Sequence, residues 1–231
     1  MDSHGRGIVL FGDVVDSRRS PERASAWLRT LRADLERAIP TADRLAPFGV
    51  TQGDEVQALL APDVDPFRAV LLGTLHDDAL PMRWVVSAGR IDPGRGPAIE
   101  RTGPAFLAAR DAVAAARTHR ERLVVVTGEP GADHLLGELA PVLGDMLADL
   151  TDRQRVVARL MLVDGLRQAD VAERLDVARA TVSVAHARGH IRSIQRVLTA
   201  LRSIFGAAML ALAEPDAAPL PVSPTVPGAA S

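Results

Sequence analysis

Three acidic residues stand where acids seldom sit without a task. Phe11-Gly12-Asp13-Val14-Val15-Asp16-Ser17 sets an aspartate inside an apolar run, and Gln52-Gly53-Asp54-Glu55-Val56 sets two acids before another such run. A carboxylate in a buried strand is costly unless it is paired. Two carboxylates meeting at the ends of adjacent strands repel unless a cation lies between them. Mg²⁺ suits that arrangement, because it takes one or two carboxylates together with phosphate oxygens. Asp13, Asp54 and Glu55 are therefore candidate metal ligands. Gly12 and Gly53 would let a nucleotide come close to the backbone. The competing role is structural, with Asp13 and Asp54 capping turns or pairing with Arg18, Arg19 or Arg90.

The surrounding pattern predicts the elements that would bring these acids together. Gly7–Val15 reads as a buried strand. Ser20 as N-cap and Pro21 in the first turn open a helix that runs to Pro40. Residues 48–60 read as two strands around a turn at Gln52-Gly53-Asp54. A helix over Pro66–Leu80, a strand over Met82–Ile91, a helix over Gly103–Ala115 and a strand over Leu123–Thr127 follow. Within that order lies β-α-β-β-α-β, the split βαβ pattern, with additions. In that topology the first strand lies beside the hairpin, so Asp13 and Asp54 become neighbours.

A second constellation lies further along. Thr151-Asp152-Arg153-Gln154 is a capping box, and Val156, Val157, Leu160, Met161 and Leu162 give the helix behind it an apolar face. A short helix over Arg167–Leu175, a turn at Asp176-Val177 and a third helix over Ala178–Gly189 follow. Ala172 supplies the small side chain that two steeply crossing helices need. Asp176 tolerates the positive φ of the turn, and Val177 and Val182 plug the corner. The third helix then presents its N-terminal residues outward, as major-groove readers do. Arg179, Ser183 and Thr181 are the candidates for base edges, and Arg167, Arg174, Arg188 and Arg192 for phosphates.

The stretch LTDRQRVVARLMLVDGLRQADVAERLDVARATVS resembles the region-4-like helix-turn-helix of sigma factors and response regulators. Ala178 stands where such motifs usually carry a capping Ser or Thr. The segments around Asp13 and Asp54 resemble class III nucleotide cyclases and their palm-fold relatives, including diguanylate cyclases. That resemblance puts Asp13 and Asp54 in the places of the metal-binding acids, and Arg110 of GPAFLAAR in the place of the arginine that steadies the phosphates. Val50 stands where many cyclases carry a purine-reading Lys, and Phe106 where they carry an Asn that orients the ribose. Losing both implies a sensor of a phosphorylated ligand more than a cyclase. Taken whole, FGDVVDSRR, QGDEVQALL, GRI, GPAF and the terminal helices resemble the SatD family of bacterial proteins over nearly residues 7–200.

The expected fold class is therefore α/β (α+β). A ferredoxin-like, palm-type domain spans residues 1–130 and an all-α helix-turn-helix domain spans 131–205. The apolar end of a helix and a disordered Pro/Ala-rich tail occupy 206–231. The expected function is DNA-binding transcription regulation, with an N-terminal domain that senses a phosphorylated ligand or mediates assembly. The alternatives are metal-dependent nucleotide cyclase or nucleotidyltransferase activity, and a helical region that docks on protein partners. The expected partners are double-stranded DNA, a nucleotide ligand and a second copy of the chain.

Composition agrees with a polarised molecule. Net charge is −2, all 27 basic residues are Arg, and Cys and Tyr are absent. Without Cys there are no disulfides, thiolate zinc sites or Cys nucleophile. Residues 1–150 hold 17 Arg against 22 acids, whereas residues 151–205 hold 10 Arg against 5 acids. A basic module joined to an acidic one fits that split. No signal peptide is apparent, and the longest apolar stretch, Ile204–Ala213, is short for a bilayer. The expectation is a cytoplasmic protein with no membrane partner. His186 and His190, four apart, would share one helix face. Val197–Ala213 is apolar enough to need a partner surface, either the N-terminal domain or a dimer seam.

Overall fold

The computed structural model describes residues 5–51 and 54–213. Gln52 and Gly53 of the expected turn, and the tail from Glu214 onward, lie outside them. The chain forms strand β1 (Gly5–Val14), helix α1 (Pro21–Ala38), strands β2 (Arg44–Val50) and β3 (Glu55–Leu60), and helix α2 (Phe67–Leu75). Strand β4 (Met82–Ile91), helix α3 (Pro104–His119) and strand β5 (Leu123–Val126) complete the sheet region. Helices α4 (Pro130–Ala148), α5 (Asp152–Leu162), α6 (Gln168–Arg174), α7 (Arg179–Arg188) and α8 (Ile191–Ala213) follow. Among the described residues this is a mixed α/β structure, with five strands in one sheet and eight α-helices.

The sheet order is β2-β3-β1-β4-β5. All neighbours are antiparallel except β4 and β5, which are parallel. β1 is central and buried on both faces, and its period of two sorts its side chains. Ile8, Leu10 and Val14 join α1 and α2 in the larger core. Val9 and Phe11 point the other way, into a second core with Ala105, Phe106 and Ala109 of α3. Asp13 shares parity with Val9 and Phe11, which puts it on the α3 side. Pro47 sits on edge strand β2, within the register shift between Ala46 and Gly49, the kind of place where a residue without an N–H is tolerated.

Several local expectations change. α2 ends at Leu75, not Leu80, because His76 turns extended and its Nδ1 accepts the Asp78 amide. α3 runs on to His119, four residues past Ala115, before Arg120 adopts a left-handed conformation. Ser20 opens α1, but its side chain makes no capping bond. Gly12 serves packing: a Cβ there would lie 2.6 Å from Cζ3 of Trp84. Its bareness admits an indole ring, so it offers a nucleotide no approach.

The larger core does not stop at the sheet region. Leu136, Leu143 and Leu147 of α4, Val157 of α5, Val182 of α7 and Leu198 of α8 belong to the same buried cluster as Ile8 and Trp84. α8 is 23 residues long, far longer than Ile204–Ala213, and its buried residues Ile191, Ile194, Leu198, Leu201, Phe205 and Ala208 follow helical spacing. Phe205 meets Phe67 edge-on at 5.8 Å between ring centroids, and Arg202 pairs with Asp65 at 2.6 Å. Of the two partner surfaces expected for this segment, the sheet region supplies one. Among the described residues α8 is also the one helix long and apolar enough to cross a membrane by length and composition, at mean hydropathy 1.5.

Candidate functional site

The acids of the first constellation do meet. Asp13 lies directly across from Glu55 in the β1–β3 register, and the Val14 amide donates to the Asp54 carbonyl at 2.8 Å. The Asp54 carboxylate accepts from the Ser17 hydroxyl at 3.0 Å. Asp13 is 4 % exposed, so its charge must be matched, and two arginines match it. Arg83, its cross-strand neighbour on β4, donates through Nη1 to Oδ2. Arg117 on α3 grips the same carboxylate with Nη2 at 2.9 Å to Oδ1 and Nε at 3.3 Å to Oδ2. Of the arginines weighed for a structural pairing, Arg18, Arg19 and Arg90 are not the partners. Arg19 approaches Asp16 instead, at 3.8 Å.

This donor set does not fit Mg²⁺. Both Asp13 oxygens are held by the guanidinium groups of Arg83 and Arg117. Burial and the Asp13 charge raise the Glu55 pKa above the ordinary carboxylate value, against the opposing Gln57 bond. Arg110 lies exposed on α3, seven residues before Arg117. At about 1.5 Å per residue that is roughly 10 Å along the helix, which sets it away from Asp13. Phe106 is buried against the sheet.

The Glu55 shift has a consequence for stability. In an acid whose folded pKa is raised, ionisation is harder in the folded chain than in the unfolded one. Stability is therefore lost as pH climbs from the unfolded value of 4.5 through the folded one. Glu55→Gln keeps an acceptor for Gln57 and removes the charge. It is expected to raise the urea midpoint at pH 7 and to lose that advantage below about pH 4.5. An equal gain at both pH values would contradict this origin.

The second constellation forms three consecutive helices. The Thr151 amide donates to Oε1 of Gln154 at 2.9 Å, and the Arg167 amide to Oδ2 of Asp170 at 3.1 Å, so the starts of α5 and α6 are each closed by a back-reaching side chain. Gly165 (φ 71°) lies in the middle of the link between α5 and α6, and Asp176 (φ 50°) makes the turn before α7. Val171, Ala172, Val182 and Ala185 are buried where the helices meet. α7 packs on α5, α6 and α8.

The opposite side of α7 faces outward. Arg179, Ala180, Ser183, Val184, Ala187 and Arg188 are exposed, while Thr181 is half-buried. Arg167 and Arg174 are exposed around α6, and Arg192 at the start of α8. Thr181 and Arg188 line a groove shared with Arg153 of α5. Arg153 is a cation that its own helix pattern did not single out; only the local excess of arginine pointed to it. Arg179 lines a different groove, with Asp170, Glu173 and Asp176 as neighbours.

His186 and His190 do not share a face, since α7 ends at Arg188 and His190 adopts φ 49° in the link. Burial and nearby Arg192 push the His186 pKa down. Ala178 is the N-cap of α7 and makes no side-chain bond there. Ala178→Ser is expected to stabilise the chain by about 0.5–2 kcal/mol, measured by chemical denaturation. No gain would mean that water already serves those amides.

Comparison with known proteins finds no family model and no curated protein that matches this chain.

Proposed function

We propose that this chain is a DNA-binding transcription-regulatory protein, with α5–α7 as its helix-turn-helix and α7 as the reading helix. The observation that carries this reading is the outer face of α7. That face is exposed, with Arg179 and Ser183 along one edge, beside α6, and Arg188 along the other, beside α5. Its inner face is anchored by Val182 and Ala185. Residues 151–205 supply the positive balance that phosphates require. Arg179 and Ser183, one turn apart, contact base edges together with Thr181. Arg167, Arg174, Arg188 and Arg192 contact the sugar-phosphate rails, with Arg153 beside them.

The N-terminal half is proposed as a ferredoxin-like, palm-type domain that senses a phosphorylated ligand or mediates assembly. The order of its first four strands and the β-α-β-β-α-β sequence support that class. The bidentate hold on Asp13 supports a structural duty for this carboxylate in place of metal-dependent catalysis. A reading helix of this kind serves best as a pair, so a homodimer on two half-sites belongs to the proposal. A cytoplasmic location follows from the target.

Selection from a random duplex library tests the reading. The chain is expected to enrich one short sequence, repeated one helical turn apart if it acts as a dimer. Recovery of unenriched sequence after several rounds overturns specific recognition.

A further inference from the structure

Between the sheet and the helices lies a cavity that the DNA-binding reading does not use. It has a volume of about 130 Å³ and sits where α2, β4, α4 and α5 converge. Its walls are chiefly apolar, with Val70, Leu80, Leu123 and Leu147 among them. The volume is somewhat less than the roughly 150 Å³ that holds a benzene ring, so the space suits a small apolar body. A nucleotide would not fit.

Thr74, Trp84, Arg122 and Arg155 break the apolar wall, and two of them carry a buried donor without a partner. Trp84 is 1 % exposed, and its indole N–H has no partner. Arg155 lines the same cavity with its Nε buried and unpartnered. Its other contacts are long, at 3.5 Å from Nη2 to the Leu150 carbonyl and 3.9 Å from Nη1 to Asp152. Arg122 is a second cation in the wall, and no Asp or Glu lines the cavity. Buried donors are normally satisfied, and here the Trp84 N–H and the Arg155 Nε are left open beside a cavity whose wall holds two arginines and no carboxylate.

We propose that this cavity is a binding site for a compact monocarboxylate with an apolar body. The carboxylate is received by Arg155, with the Trp84 N–H as a further donor, and the hydrocarbon part rests on Val70, Leu123 and Leu147. Ala79, Leu80 and Arg155 also line a surface groove on the outer side, where Asp77, Asp78 and Asp152 stand beside them, so a carboxylate has to displace the weak Arg155–Asp152 pairing to reach the guanidinium. Arg155 belongs to the first helix of the α5–α7 unit, so the site touches both halves of the molecule. The proposal goes beyond the DNA-binding reading and stands without it.

Thermal unfolding of the full chain with benzoate and with isobutyrate, at matched ionic strength, tests this directly. At least one of the two is expected to raise Tm saturably, by about 3–6 °C at ten times its Kd. Arg155→Gln is expected to weaken that binding at least tenfold, Arg155→Lys to restore part of it, and Trp84→Phe to weaken it less. Benzyl alcohol, which has the ring without the charge, is expected to give no comparable shift. Absence of a saturable shift with both carboxylates means a water-filled void only and overturns the proposal. So does an undiminished shift in Arg155→Gln, or an equal response to benzyl alcohol. Trp84 fluorescence in a Trp27→Phe background gives a readout independent of melting.

Discussion

Replacing Asp13 by Ala is expected to cost about 3–5 kcal/mol of folding stability, the range for removing one partner of a buried ion pair. The side chain of Arg83 is 11 % exposed and that of Asp13 is 6 %. Loss of the carboxylate strands a guanidinium that already has a buried, unpartnered Nε. Arg117 contributes less, because its side chain is 53 % exposed and can turn to water. Asp13→Asn is expected to cost less than Asp13→Ala, since an amide oxygen still accepts one bond. Adding Arg83→Met to Asp13→Ala is expected to recover much of the loss, as apolar replacement of a whole buried pair often does. Chemical denaturation measures all of these. An Asp13→Ala chain within about 0.5 kcal/mol of the parent would mean that the carboxylate does not hold the sheet end together.

Arg179→Ala is expected to reduce affinity for the enriched duplex by about 1–3 kcal/mol, which is roughly tenfold to more than a hundredfold. The loss should fall on the preferred sequence and leave random duplex nearly unchanged, because a base-edge contact carries information and a phosphate contact does not. Arg188→Ala should show the opposite pattern, a similar loss on every duplex with a shallower salt dependence. Competition binding with matched and scrambled duplexes separates the two. Equal losses on both duplexes for Arg179→Ala would move that residue from the bases to the backbone.

Much of this arrangement was legible in the sequence, and the parts that were not share a cause. Strand β4 lies where its apolar run predicts, and Asp176 adopts the positive φ that a turn between Leu175 and Val177 requires. The meeting of Asp13 with the hairpin followed from β-α-β-β-α-β order alone. Identifying the partners of Asp13 required distances across the fold. Arg83 is seventy residues away and Arg117 one hundred and four. Both reach Asp13 through sheet register and through the run of α3 back across the sheet, information that no local window holds. Gly12 carried a similar ambiguity, since a missing side chain suits a ligand and an indole ring equally until Trp84 is seen against it. α8 was underread because Arg192, Arg196 and Arg202 interrupt its apolar composition without interrupting its helical spacing. The cavity at Trp84 and Arg155 lies between elements and has no linear signature.

In the proposed complex α7 lies in a major groove with arginines on the rails beside it. Fluorescence anisotropy of a labelled duplex, titrated with the full chain from 50 to 200 mM salt, tests it most directly. Four phosphate contacts from Arg167, Arg174, Arg188 and Arg192 predict a log–log slope near −3.6 per protomer, a loss of affinity of about a hundredfold over that range. Failure to bind any duplex at the lowest salt, or binding that does not respond to salt, contradicts the account.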